Sequence, residues 1–209
     1  MGRHGTFVAT YLGAGAAAWV YPAYDDYMIK GATDPLTDAD LLAPVLLNVP
    51  HLSVATYYRL QKEMRYLDEL LNRLSPDLSL VNATSADIEI VGALFEGIDA
   101  GRLVGARATT LSKIVHRKRP ALIALQDVQV RRCYQAGPNA PLPVVPGRTW
   151  VAFTTALTIL IQRDLAEQYG AFERLAEMAS ARPVTPLRAF DIVAWWFGQS
   201  RGAPDRQGR

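Results

Sequence analysis

From Ser53 onward the apolar residues Tyr57, Leu60, Met64, Leu67, Leu71 and Leu74 recur at steps of three and four. Arg59, Lys62, Glu63, Asp68, Glu69 and Arg73 fill positions between them. That spacing lays one apolar stripe along a helix and charge along the other face, and it excludes the two-residue alternation of a strand. Ser75-Pro76 ends the helix, because proline disfavours helical geometry in the residue before it. A striped helix must be covered, so the rest of the chain has to supply elements that pack against it.

Those elements read as helices too. Thr37 is an N-cap candidate before "DADLLAPVLLN", with Asp38 and Asp40 in the first turn. A helix is expected from Ser85 to around Gly101. Trp150, Phe153, Leu157, Leu160 and Ile161 mark another, running to about Gln168, and Gly170 separates it from "AFERLAEMAS". Thr185-Pro186 places a cap and an N1 proline ahead of "LRAFDIVAWWFGQS". Between 135 and 147, "QAGPNAPLPVVPG" is rich in proline and glycine and reads as an extended surface connection. The apolar "ALIAL" at 121–125 is too short to build a sheet around. The expectation is a single all-α domain over 1–200, of roughly seven to ten helices at the usual helix length, with a disordered tail at 201–209.

Several function classes fall away on composition. One cysteine, Cys133, excludes a disulfide framework, a cysteine-rich zinc site and a four-cysteine iron–sulfur cluster. His4, His51 and His116 are too scattered for a metal motif, so neither metal nor cofactor is expected. Gly13-Ala14-Gly15 lacks the third glycine of a dinucleotide fingerprint. No apolar run approaches the roughly 18 residues of a membrane span, so no membrane partner is expected. Arg3-His4 and the stretch after them have the outline of a signal peptide, but threonine and glycine interrupt it before "YPAYDDY". A folded, cytoplasmic N-terminal segment is the expectation.

Charge is where the sequence becomes specific. Residues 1–101 carry six Lys/Arg against thirteen acids, a net −7, and residues 133–209 carry eight against six, a net +2. Residues 102–132 carry eight against the single Asp127, a net +7, and the three segments sum to the chain's +2. Such division points to nucleic acid or another polyanion as the partner. Within this segment Gly105 supplies a turn ahead of a helix from roughly Ala108 to Arg117, and Pro120 stops that helix after "HRKR". Apolar "PALIAL" reads as buried connector, and Asp127 stands where "VQVRRCY" begins a second helix.

"LVGARATTLSKIVHRKRPALIALQDVQVRR" resembles the helix-hairpin-helix segment of the base-excision (HhH-GPD) DNA glycosylase superfamily, with its "L-P-G-V-G-x-x-T-A" hairpin followed by "V-D-T-H-V-x-R". The resemblance sets Leu103–Arg107 on the hairpin, Thr110 near its threonine, and Asp127–Arg132 on the Asp-Thr-His-Val segment. It implies that Gly105, Arg107, Thr109, Lys113, Arg117, Lys118, Arg119, Arg131 and Arg132 contact DNA. It also implies that Asp127 stabilises charge on a sugar as its base leaves, or orients a water. Arg107 departs from the hairpin's second glycine. Thr109 stands where lyase-competent members carry lysine, so the resemblance implies a monofunctional glycosylase at most. The chain is also similar to an uncharacterised actinobacterial family of unknown function that pairs "DLLAPVLLN" and "YYRLQ" with a C-terminal "TPLR…DIVAW".

Each site has a structural alternative. Asp127 suits an N-cap, the charged runs suit a solvated face, and Tyr57-Tyr58 and Trp195-Trp196 suit core packing as well as base stacking. His116 reads as a surface contact. The alternatives to glycosylase-like DNA binding are a nucleic-acid-binding protein without chemistry, and a helical interaction protein whose basic patch meets the acidic half of another copy.

Overall fold

Helix caps set most element boundaries. The computed structural model describes residues 22–27, 31, 33–49, 52–178 and 184–202, with the side chains of residues 22 and 200–202 excepted. The N-terminal stretch, His4, His51 and the tail from residue 203 lie outside the described residues. The short helices α1 (Pro22–Asp26) and α2 (Asp38–Leu42) come first. Thr37 caps α2 reciprocally with Asp40, whose Oδ2 accepts from the Thr37 backbone N–H at 2.9 Å. A 3₁₀ turn, Ala43–Leu47, follows and ends at Asn48, whose φ of 55° is left-handed.

The striped segment forms α3 (Val54–Leu71), with the Ser53 hydroxyl accepting from Thr56 N–H at 3.1 Å. It ends three residues earlier than the periodicity suggests, yet Leu74 is still buried in the turn beyond. Leu60, Leu67 and Leu71 face the core, with Tyr57 and Met64 packed against its edge. Instead of one helix from Ser85 there are two, α4 (Ser85–Ala93) and α5 (Glu96–Asp99). Helices α6 (Ala108–Val115) and α7 (Val128–Gln135) bracket the basic segment. Then come α8 (Trp150–Glu167), α9 (Tyr169–Glu177) and α10 (Pro186–Gly202). Gly170 lies inside α9, and α10 runs into the stretch expected to be disordered.

No strand occurs among the described residues, and "ALIAL" is buried non-regular chain. The described residues make one all-helical, compact unit around a continuous apolar core that draws on α3, α4, α6, α8, α9 and α10. Two close approaches position the site. Helix α10 packs against α7, and a methyl on Gly198 would stand 2.0 Å from the Gln129 carbonyl oxygen. Helix α4 packs against α8, and a methyl on Gly92 would stand 2.2 Å from Thr155 Oγ1. Both glycines serve as flat spots where backbones meet.

Candidate functional site

The turn Leu103–Arg107 leads into α6. Gly105 has a φ of 92°, and a Cβ there would meet Thr56 Oγ1 at 2.3 Å, so only glycine fits both conformation and space. Leu103 and Ala106 are buried, while Val104, Gly105 and Arg107 face outward. Arg59 of α3, which sequence reasoning did not single out, donates to the Val104 carbonyl at 2.8 Å.

Helix α6 ends at Val115, two residues short of expectation, and this redirects the basic cluster. Lys113, His116, Lys118 and Arg119 are all buried, and the Arg117 side chain is only 5% exposed. The solvent-facing cluster expected at 113–119 is therefore corrected: these cations point inward. Arg117 Nε donates to Asp40 Oδ1 at 2.8 Å, and its other nitrogens reach the Tyr24 and Tyr27 carbonyls. Lys118 Nζ lies 3.4 Å from Asp40 Oδ2. Burial alone would raise the Asp40 carboxyl, but the hydrogen bonds from Arg117 and Thr37 and the charge of Lys118 hold it below its ordinary range. Arg119 donates to the Leu71 carbonyl at 2.6 Å and the Leu74 carbonyl at 3.1 Å, closing the C-terminal end of α3. His116 is no surface contact: its Nδ1–H donates to the Ile123 carbonyl at 2.6 Å, and burial lowers its pKa to about 4.

Lys113 and Asp127 meet instead at a cavity of about 110 Å³ lined also by Leu47, Asn48, Asp191 and Trp195, among others. Asp127 caps α7, its Oδ1 accepting from Gln129 N–H at 3.0 Å, as the sequence leads one to expect of an Asp at a helix start. Its Oδ2 faces Lys113 Nζ at 3.3 Å, and the side chain remains 20% exposed. Lys113 also donates to the Leu47 carbonyl at 2.9 Å, and burial draws its pKa down while Asp127 pulls it back up. Thr109 ties α6 to this corner by donating to the Gln126 carbonyl at 3.0 Å.

From α10 come Arg188 and Asp191, also lining the cavity. Arg188 is bidentate to Asp25, at 2.9 and 3.1 Å. Asp191 is 2% exposed; its Oδ2 accepts from Leu125 N–H at 3.2 Å, and its Oδ1 has no partner. Burial pushes Asp191 up to about 8, against the pull of Arg188 and the Leu125 hydrogen bond. Sequence reasoning missed both residues. Their signal was present: an arginine and an aspartate three apart within the otherwise apolar "PLRAFDIVAW".

Outside the cavity, Arg107 and Arg132 are exposed and Arg131 is half-buried. The Arg131 guanidinium stacks 5.5 Å above the Trp150 ring, and both residues share a surface depression with Arg148. Trp195 packs partly against the core and partly lines the cavity, whereas Tyr58 is 55% exposed beside the half-buried Tyr57. No group of acids, histidines and cysteines that could hold a metal occurs among the described residues. No helix there is long and apolar enough to cross a membrane.

Compared with known proteins, residues 5–198 match the model of a family of unknown function (DUF6308), and the chain belongs to that family. No curated protein and no solved structure matches it.

Proposed function

We propose that this protein binds double-stranded DNA across the Leu103–Arg107 turn and the outer face of α7, as a glycosylase-like, monofunctional base-excision protein acting through Asp127. The observation that carries this is the position of Asp127: a partly open carboxylate at a helix start, on the wall of a cavity, with the Lys113 ammonium 3.3 Å away. A fixed carboxylate at such a place stabilises positive charge that develops on a sugar carbon as its base departs, and it orients the water that replaces the base. Lys113 is a positioning group, divided between Asp127 and the Leu47 carbonyl. DNA contact falls to Gly105, Arg107, Arg131 and Arg132, with Arg59 alongside, because Lys113 and residues 117–119 are committed to the interior.

That commitment also favours a second reading, a helical binding protein without chemistry, since it removes four of the nine expected DNA contacts. Duplexes each carrying one modified base separate the two. Under the first reading wild type leaves an alkali-labile site in at least one duplex. Asp127→Asn then lowers the single-turnover rate by about 10²–10³ and leaves binding equal or tighter. Excision that survives Asp127→Asn removes this carboxylate from the chemistry, and duplexes that are bound but never cut establish the second reading.

A further inference from the structure

Arg131 is a half-buried cation on α7 whose guanidinium N–H groups have no acceptor among the described residues. It is held by the Trp150 ring, 5.5 Å away, and a guanidinium stacked flat on an indole loses little further freedom when an anion docks on its open edge. Burial lowers the Arg131 pKa, Asp127 pulls it back up, and the charge of Arg107 lowers it again. Arg148 stands in the same depression, of about 140 Å³, with Val144 and Val145 also lining it. Arg148 Nη1 donates to the Pro143 carbonyl at 3.0 Å, and it too has no carboxylate partner among the described residues. The nearby acids are committed elsewhere. Asp99 accepts from the Trp150 and Val151 backbone N–H groups at 2.7 and 3.0 Å, and Asp127 from Gln129 N–H and Lys113. The connection that carries the valines is pinned, since Leu142 is buried and its N–H donates to the Tyr134 carbonyl at 2.9 Å. Even so, Val144 is 74% exposed and Val145 46%.

We propose that this depression is a subsite for one nucleotide unit, its phosphate held between Arg131 and Arg148 and its base laid against Val144 and Val145. The phosphate follows from two arginines without carboxylates, one of them presented ready-made by the Trp150 stack. Two guanidinium groups and the field of Arg107 suit a phosphate better than a single carboxylate. The base follows from exposed apolar surface directly beside the cations, which an inorganic ion leaves wet. A nucleotide within a DNA strand is one source of this chemistry, and in that form the inference rests on the DNA reading and deepens it. A free nucleoside monophosphate is another source, which does not depend on that reading. Because both arginines share one phosphate, Arg148 adds none to the number that the DNA surface holds.

The test is an NMR titration of the full chain with thymidine monophosphate, thymidine and inorganic phosphate. It is read at the Trp150 indole N–H and the Val144 and Val145 methyl groups. Saturable shifts are expected at all three with the monophosphate, roughly tenfold tighter than with inorganic phosphate or thymidine. Arg131→Gln and, independently, Arg148→Gln should each weaken the monophosphate roughly tenfold. Arg65→Gln, which removes the same charge from an exposed pair on α3, should leave its affinity unchanged. Val144→Ser with Val145→Ser should bring the monophosphate down to the affinity of inorganic phosphate. No saturable shift at Trp150, a monophosphate no tighter than inorganic phosphate, or undiminished binding by both arginine variants overturns the proposal. A parallel titration with a DNA duplex carrying an unphosphorylated thymidylate overhang separates the sources. Shifts at the same groups with both probes place a nucleotide of a strand in the site. Duplex binding that leaves them unmoved while the monophosphate shifts them assigns the site to a free nucleotide. Shifts with the monophosphate and no duplex binding uphold this site and count against the DNA reading. Duplex binding with no monophosphate binding and with these groups unmoved sinks this inference and leaves the DNA reading standing.

Discussion

At Asp127 the cap and the ion pair are held by different oxygens, Oδ1 on Gln129 N–H and Oδ2 on Lys113. Asn can keep the first and loses the charge of the second; Ala loses both. Asp127→Ala is expected to lower stability by about 1 kcal/mol for the cap, and by more in total because Lys113 is left buried without its counter-charge. Asp127→Asn should fall between wild type and Ala in a urea unfolding series, and Ala equal to wild type would mean that neither contact matters. An Asp at this helix start was legible in "QDVQV". Its partner was not, since Lys113 lies fourteen residues upstream and local spacing says nothing about which side of α6 turns inward.

Helix α6 and the turn after it show what decides the fate of a basic run. The sequence suggests a helix through Arg117, which would have spread the cations around a surface. Ending at Val115 instead sends these cations to two interior destinations: Arg117 and Lys118 go to Asp40, with Arg117 also reaching the Tyr24 and Tyr27 carbonyls, and Arg119 goes to the carbonyl end of α3. Density of charge in a sequence cannot distinguish a solvated face from buried pairs whose acids come from 77 residues away. Periodicity, by contrast, identified α3 and α8, because an apolar stripe needs no knowledge of its partner, and the Thr185-Pro186 cap signal identified α10. Arg119→Met should cost on the order of 3 kcal/mol, since a charged donor to two helix-end carbonyls is removed, and it should show as earlier hydrogen exchange in the last turn of α3. Gly198→Ala addresses the α7–α10 contact. With its Cβ 2.0 Å from the Gln129 oxygen, the helices must separate, and a drop in melting temperature with altered Trp195 fluorescence is expected. Unchanged melting would mean that the two helices are not in contact as described.

Across the molecule, the acidic first half and the basic middle answer one another within the chain through Asp40 with Arg117 and Lys118, while Lys113 pairs with Asp127 inside the basic segment itself. The sequence showed the imbalance; only the fold shows that part of it is internal. Its consequence is a definite stability profile against pH. His116 is held neutral in the fold down to about 4 but protonates near 6.5 when unfolded, so stability falls as pH drops through that interval. Asp191 behaves oppositely: folded it keeps its proton to about 8, unfolded it loses it near 3.8, so stability falls as pH rises between these values. Between 6.5 and 8 only the Asp191 effect of these two remains, and Asp191→Asn should flatten the decline there in urea unfolding at stepped pH. A variant curve parallel to wild type would show that Asp191 does not carry the proton.

The salt dependence of duplex binding tests most directly whether the DNA surface is the outer turn and α7 rather than the whole basic segment. With about three or four arginines left outside, log Kobs against log salt should fall with a slope of about −3, at roughly −0.9 per phosphate neutralised. Arg107→Ala should make that slope shallower by about one, whereas Arg119→Met should leave it unchanged. A slope of about −6 or steeper, with Arg119 contributing, would mean that the buried cations reach the phosphates and that this account of the segment is wrong. Absence of any salt-dependent binding would contradict the DNA reading altogether.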